Sequence, residues 1–140
     1  MRTPITGVIH MGFYPADLDR ALHFYCDLLG MKVQRQLLAP QELPENAPLY
    51  PLRGKPFITY VEAQNGVILE FFSPLPGREA PVDNQNRIGI SHIAVGCADV
   101  PALVAELRAE GVQIDSEPRP GGGAAWVRDP DGNRVEIMGA

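Results

Sequence analysis

Four residues stand out because their types and their places recur. His10 sits near the start of GVIHMGFYPADLDRALHFYCDLLGMKV, and His92 near the start of GISHIAVGCADVPALVAELRAEGVQI. A shift of 82 lays His10 on His92 and Ala16-Asp17 on Ala98-Asp99. Further on, YVEAQNGVILEFF meets WVRDPDGNRVEIM at a shift of 66, which carries Gly66 onto Gly132 and Glu70 onto Glu136. Imidazole nitrogens and carboxylate oxygens are the donors that a borderline divalent cation takes: zinc, nickel, cobalt, manganese or ferrous iron. Two carboxylates offset the charge of such an ion and leave positions open for water or a chelating substrate. A lone strand histidine is usually packing or surface. A repeat that duplicates both donor types points instead to one metal site built from His10, Glu70, His92 and Glu136.

The elements that must position these residues follow from local pattern. GVIHMGFY reads as a strand with His10 as its polar position, sharing a face with Val8 and Gly12. Asp17 stands at a helix N-cap, Leu18, Leu22, Tyr25 and Leu29 follow at helical spacing, and Gly30 closes the helix. MKVQRQLL is the next strand. In the second half GISHIAVG is the strand, Asp99 the cap, and Val100, Leu103, Val104 and Leu107 the apolar stripe. Gly111 then stops the helix before VQI. Each half ends in a hairpin, FITYVEA with GVILEFF around Asn65-Gly66, and AAWVRD with NRVEIMG around Asp131-Gly132. The order strand, helix, three strands therefore occurs twice. The expectation is an α+β chain of two βαβββ modules, residues 1–73 and 88–140, joined by a linker over 74–87. Their strands would form a cupped mixed sheet with the helices on its outer face. Residues 39–56 hold five prolines and exceed their counterpart in the second half, as a functional loop would.

Composition narrows the class. The 140 residues are 45% hydrophobic, enough for a packed core. The net charge is -5 and the isoelectric point about 5.1, with no basic patch for nucleic acid or anionic lipid. No apolar run is long enough to span a bilayer, and no secretory leader precedes the first strand. Cys26 and Cys97 make neither a disulfide scaffold nor a finger spacing, and read as small buried residues. A cytoplasmic location is expected, and dimerisation too, because small modules with open strand edges gain from association.

The segments IHMGFYPADLDRALHFYCDLLGMKV, HIAVGCADVPALVAELRAEGV and DPDGNRVEIM resemble the vicinal oxygen chelate superfamily. That group holds glyoxalase I, methylmalonyl-CoA epimerase, extradiol dioxygenases and the bleomycin and fosfomycin resistance proteins. The resemblance covers Val8 to Met138 and implies paired βαβββ modules around one divalent metal, held by His10, Glu70, His92 and Glu136. The set of two histidines and two glutamates resembles the isomerase and epimerase branch rather than the ring-cleaving dioxygenases and fosfomycin resistance enzymes, which usually place a histidine where this chain has Glu70, giving two histidines and one carboxylate. Bleomycin-type binders generally lack the ligands. The resemblance thus implies a glyoxalase-like lyase or isomerase acting on a small carbonyl compound by metal-stabilised enolisation, with Glu136 as the principal base and Glu70 as its counterpart. An iron-dependent ring-cleaving dioxygenase, or a small-molecule-binding resistance protein of the same fold, is the alternative. Oxygen consumption marks the first of these, and ligand binding that survives metal loss the second.

The resemblance breaks at two places. Glyoxalase I uses an arginine four residues after its first ligand and an asparagine four after its first glutamate for glutathione, and this chain has Tyr14 and Pro74 there. Arg87 lies five residues before His92, near another family arginine. Tyr60 and Trp126 are repeat partners expected mainly in core packing. Phe72 shares a face with Glu70, His23 is expected to be structural or solvent-facing, and Gly121-Gly122-Gly123 reads as a plain loop.

Overall fold

The computed structural model describes residues 3–76, 88–120 and 122–140. The chain divides into two compact units, Met1–Arg78 and Glu79–Ala140. Residues 77–87, most of the expected linker and Arg87 with it, lie outside the described residues, as does Gly121.

The first unit runs β1 (His10–Phe13), α1 (Leu18–Leu22), β2 (Lys32–Leu38), β3 (Pro56–Glu62) and β4 (Ile68–Phe72). Its four-stranded sheet has the order β1-β4-β3-β2, with β1 parallel to β4 and the other neighbours antiparallel. The second unit runs β5 (His92–Cys97), α2 (Val100–Ala109), β6 (Ile114–Ser116), β7 (Ala125–Arg128) and β8 (Arg134–Gly139). It repeats the topology as β5-β8-β7-β6, again with one parallel pair, β5 and β8. The βαβββ order expected from the sequence is present twice.

Two boundaries differ from the sequence reading, each for a physical reason. The first strand begins at His10, not Gly7, and Val8 and Ile9 are exposed ahead of it. A parallel strand extends only as far as its partner, and β4 starts at Ile68 because the chain has just turned at Asn65-Gly66. Gly66 takes a φ of +90°, and Val67 donates its N–H to the Asn65 side chain at 3.3 Å. The hairpin turn therefore makes His10 the first residue of its strand, and the Asp131-Gly132 turn does the same for His92 opposite Arg134.

The first helix also departs from regular α geometry. Asp17 caps it as expected, accepting from the N–H of Arg20 at 3.0 Å. After Leu22 the chain widens into a π-helical segment, His23–Leu28, and Leu29 donates back to the carbonyl of Phe24. The adjacent Phe24 and Tyr25 are both fully buried. A wider turn reduces the angle between successive side chains, so both rings can face the sheet. There Tyr25 meets Phe13 and Phe71, with ring centroids 6.0 and 5.2 Å away. His23, on the outer side, pairs with Asp27 at 2.9 Å. In the second unit Asp99 caps α2 from the N–H of Ala102, and Val100, Val104 and Leu107 are buried along with Val127, Val135 and Ile137 of the sheet.

The long loop after β2 is closed at its base. Ala39 and Lys55 share a backbone hydrogen bond of 2.9 Å, Gly54 donates to Ala39, and Arg53 lies over the Tyr50 ring at 4.7 Å. At the second hairpin, Asp129 is buried and organises the turn. Its carboxylate accepts from the backbone N–H of Asp131 and of Asn133, both at 2.9 Å, and from the Asn133 side chain at 2.8 Å. Replacing Asp129 by alanine leaves two turn N–H groups without that acceptor. The expected cost is about 2–3 kcal/mol of unfolding free energy, measured by urea denaturation.

Candidate metal centre

Strand alternation separates the two faces of each sheet. In the first, Leu69, Phe71, Thr59 and Val61 are buried on the helix side. Glu70 points the other way, opposite Gly12 of β1 and Tyr60 of β3. His10, two residues from Gly12, shares that face, and its Nε2 lies 3.2 Å from the Glu70 carboxylate. Gly12 lies between them on the same face, where even a Cβ would stand in ordinary contact, 3.4 Å from the Phe72 ring and 4.0 Å from Glu70.

The second sheet repeats the construction. Glu136 lies opposite Ala94 of β5 and Trp126 of β7, and the His92 Nε2 is 3.8 Å from its carboxylate. Ser91 holds the other imidazole nitrogen, Nδ1, at 2.9 Å, which leaves Nε2 facing the glutamate. The Glu70 side chain is 9% exposed and the Glu136 side chain 18%. Two carboxylates this sheltered, each facing an imidazole nitrogen, suit a cation as counter-charge. The donor set thus fits a borderline divalent ion. Within each unit the structure brings together one histidine and one glutamate. No group of three or more such donors is gathered among the described residues.

Tyr60 and Trp126 correct the sequence reading. Both are half-buried on the ligand face instead of packed in the core. The His10 ring meets Tyr60 edge-on at 6.2 Å between centroids, and the His92 ring meets Trp126 edge-on at 4.7 Å. The third strand supplies a wall to each histidine because its middle residue is the register partner of the glutamate. Strand alternation around Glu70 could have revealed this, since Tyr60 and Glu70 flank the hairpin turn almost symmetrically. Phe72 does share the Glu70 face and stacks on Tyr14 at 4.8 Å. Cys26 and Cys97 are half-buried rather than buried. Burial and the neighbouring Asp27 push the Cys26 thiol up, away from nucleophilic reactivity.

The profile of the Glyoxalase/Bleomycin resistance protein/Dioxygenase superfamily matches residues 7–137. The chain belongs to this superfamily. Its relatives include a lactoylglutathione lyase of Arabidopsis thaliana, 31% identical over 134 residues. That alignment covers 93% of this chain and 43% of the relative, so the chain spans under half of the plant protein. A probable lactoylglutathione lyase of Synechocystis is 28% identical, with 94% of this chain and 93% of the relative covered. The lactoylglutathione lyase of Haemophilus influenzae is 31% identical, with 94% and 90% covered. Among solved structures, the trypanothione-dependent glyoxalase I of Leishmania major aligns with a TM-score of 0.63 and 29% identity, over 94% of this chain and 84% of that one. A maize glyoxalase I mutant aligns at 0.68 and 23% identity, over 93% and 43%, which shows the shared fold. The superfamily fold is thus carried by two four-stranded mixed sheets, each with its own His/Glu pair. No helix among the described residues is long and apolar enough to cross a membrane.

Proposed function

We propose that this superfamily member is a metal-dependent lyase of the glyoxalase I type, acting on the adduct of a 2-oxoaldehyde with a thiol. The observation that carries the reading is the duplicated pair, His10 with Glu70 and His92 with Glu136, on corresponding faces of two sheets. The lactoylglutathione lyases among the relatives support the same reaction class. His10, Glu70, His92 and Glu136 hold one divalent ion, whether supplied by one chain or by two. An ion held there would supply Lewis-acid polarisation of a carbonyl oxygen, easing removal of the neighbouring C–H proton.

The chain's own residues do the rest. Isomerisation of such an adduct moves one proton between adjacent carbons and the hydroxyl proton between their two oxygens, and leaves the atom count unchanged. Glu136 is the base that takes the proton and returns it to the neighbouring carbon. It is the more exposed of the two carboxylates and stands further from its imidazole, so it is freer to turn toward a substrate. Glu70, more deeply set against His10, is its counterpart. Tyr60 and Trp126 wall the histidines and limit water at the reacting carbon. The reading includes the module bounds 1–73 and 88–140, a homodimer that covers open strand edges, and a cytoplasmic location.

The test is turnover of the methylglyoxal–glutathione hemithioacetal by protein purified without chelators, in heavy water. The expected result is product formation, with deuterium in the product at the level set by exchange of the transferred proton. Oxygen uptake with a catechol and no hemithioacetal turnover would replace the lyase reading by the ring-cleaving one.

A further inference from the structure

A guanidinium covers the aromatic wall in each sheet. The Arg35 guanidinium carbon lies 4.5 Å from the Tyr60 ring centroid, and that of Arg134 lies 4.3 Å from the Trp126 ring centroid. Each aromatic ring therefore touches the histidine of its own half by an edge and an arginine by a face. The two arginines come from different strands, β2 and β8, so the repeat in the sequence does not account for the likeness. The same local arrangement is reached by two routes.

The first route is a β-bulge. Lys32 pairs with Glu62 and Val33 with Val61, so an unbroken ladder would set Gln34 opposite Tyr60. The register instead slips between Val33 and Arg35, and Arg35 becomes the partner of Tyr60. A bulge re-aims one side chain and reverses the facing of those that follow. Here it moves a cation onto the face that carries Glu70. In the second sheet a bulge sits at the corresponding place, between Ile114 and Ser116. There Asp115 binds Arg128 at 2.6 Å, and Arg134 is left to cover Trp126.

Neither Arg35 nor Arg134 has a carboxylate within ion-pair distance among the described residues, in contrast to Arg128. Arg134 is half-buried, and its Nη1 donates to the Ser91 hydroxyl at 3.5 Å. A stacked guanidinium is pre-oriented and still presents its N–H fork to an incoming anion. In an acidic chain, two such cations beside sheltered carboxylates are placed where they select a ligand. Arg35 is two strands from Glu70, about 10 Å by strand spacing. That span separates a reacting carbonyl from a charged group elsewhere on one molecule.

The geometry points to Arg35 and Arg134 as anion seats that fix the charged end of the substrate, a carboxylate or a phosphate, beside each His/Glu pair. This rests on the proposed lyase reading and adds two residues of this chain, Arg35 and Arg134, that would select its ligand by charge. It also supplies a charge contact that Tyr14 and Pro74 cannot make.

Calorimetric titration of the metal-loaded protein with glutathione, glutathione diethyl ester and coenzyme A tests the seats by binding alone. Glutathione is expected to bind about 10- to 100-fold more tightly than its ester, and Arg35→Gln and Arg134→Gln each to remove most of that difference. Arg134→Lys keeps the charge without the fork and should fall between. Trp126, the single tryptophan, reports the same event as an emission change that Arg134→Gln abolishes. Preferential binding of coenzyme A, with the same sensitivity to both variants, assigns the seats to phosphate instead of carboxylate. A purely structural role would lower the thermal midpoint and leave charge discrimination intact. Equal binding of glutathione and ester with no binding of coenzyme A, or discrimination kept in both variants, overturns the proposal. Charge-selective binding without hemithioacetal turnover would remove the lyase reading and leave the seats standing.

Discussion

Glu136→Gln is expected to keep its bound metal and lose about three orders of magnitude in turnover, within the range ascribed to a positioned general base. Glutamine preserves the shape and one coordinating oxygen but cannot accept a proton at neutral pH. If the carboxylate is the base proposed above, the loss should fall on kcat, and it should abolish deuterium exchange into substrate or product. Glu70→Gln is the necessary companion. Glu70 sits 3.2 Å from the His10 imidazole and is the more sheltered of the two, so its substitution should weaken metal retention more and proton transfer less. Metal content must be measured in both. If both variants hold metal and exchange at the wild-type rate, neither glutamate is the base.

Stripping the protein with a chelator is expected to lower turnover by about a thousandfold, since loss of a divalent ion's charge stabilisation is worth several kcal/mol at the transition state. Readdition of zinc, nickel, cobalt, manganese or ferrous iron should restore it to different extents, because this donor set ranks the ions without excluding any. Stability supplies a readout independent of activity. A ligand present at a hundred times its dissociation constant adds about 2.7 kcal/mol to the folded state, so the stripped protein should unfold at a lower temperature. His10→Ala removes a proposed direct ligand and should weaken metal binding by more than the roughly 100-fold that losing an outer partner costs. Elemental analysis of the variant against wild type measures this. Full turnover by metal-free protein would remove the ion from the mechanism.

The two His/Glu pairs were legible because their side chains are chemically distinctive and lie at fixed offsets from turn and cap residues. The Asp17 and Asp99 caps and the Asn65-Gly66 and Asp131-Gly132 turns are local events, decided within a few residues by hydrogen bonds and positive φ. The pattern therefore pointed to two βαβββ halves and to His10, Glu70, His92 and Glu136 as the candidate ligands. Strand length was less accessible. Val8 and Ile9 have every local mark of strand, yet a strand ends where its ladder partner ends.

What only the tertiary structure decided was facing across strands. The hairpin turns hint that Tyr60 and Trp126 face with Glu70 and Glu136, but their edge contacts with His10 and His92 involve a strand distant in sequence and rest on the parallel pairing. Arg35 required more, since alternation counted from Lys32 puts Gln34, not Arg35, on the ligand face. A bulge shifts every later residue by one, and it is set by pairing with another strand rather than by the bulged residues themselves. By itself the sequence determined the turns and the order of elements and marked the candidate donors, because each depends on neighbours in the chain. The walls around the donors and the cations above them depend on neighbours in space.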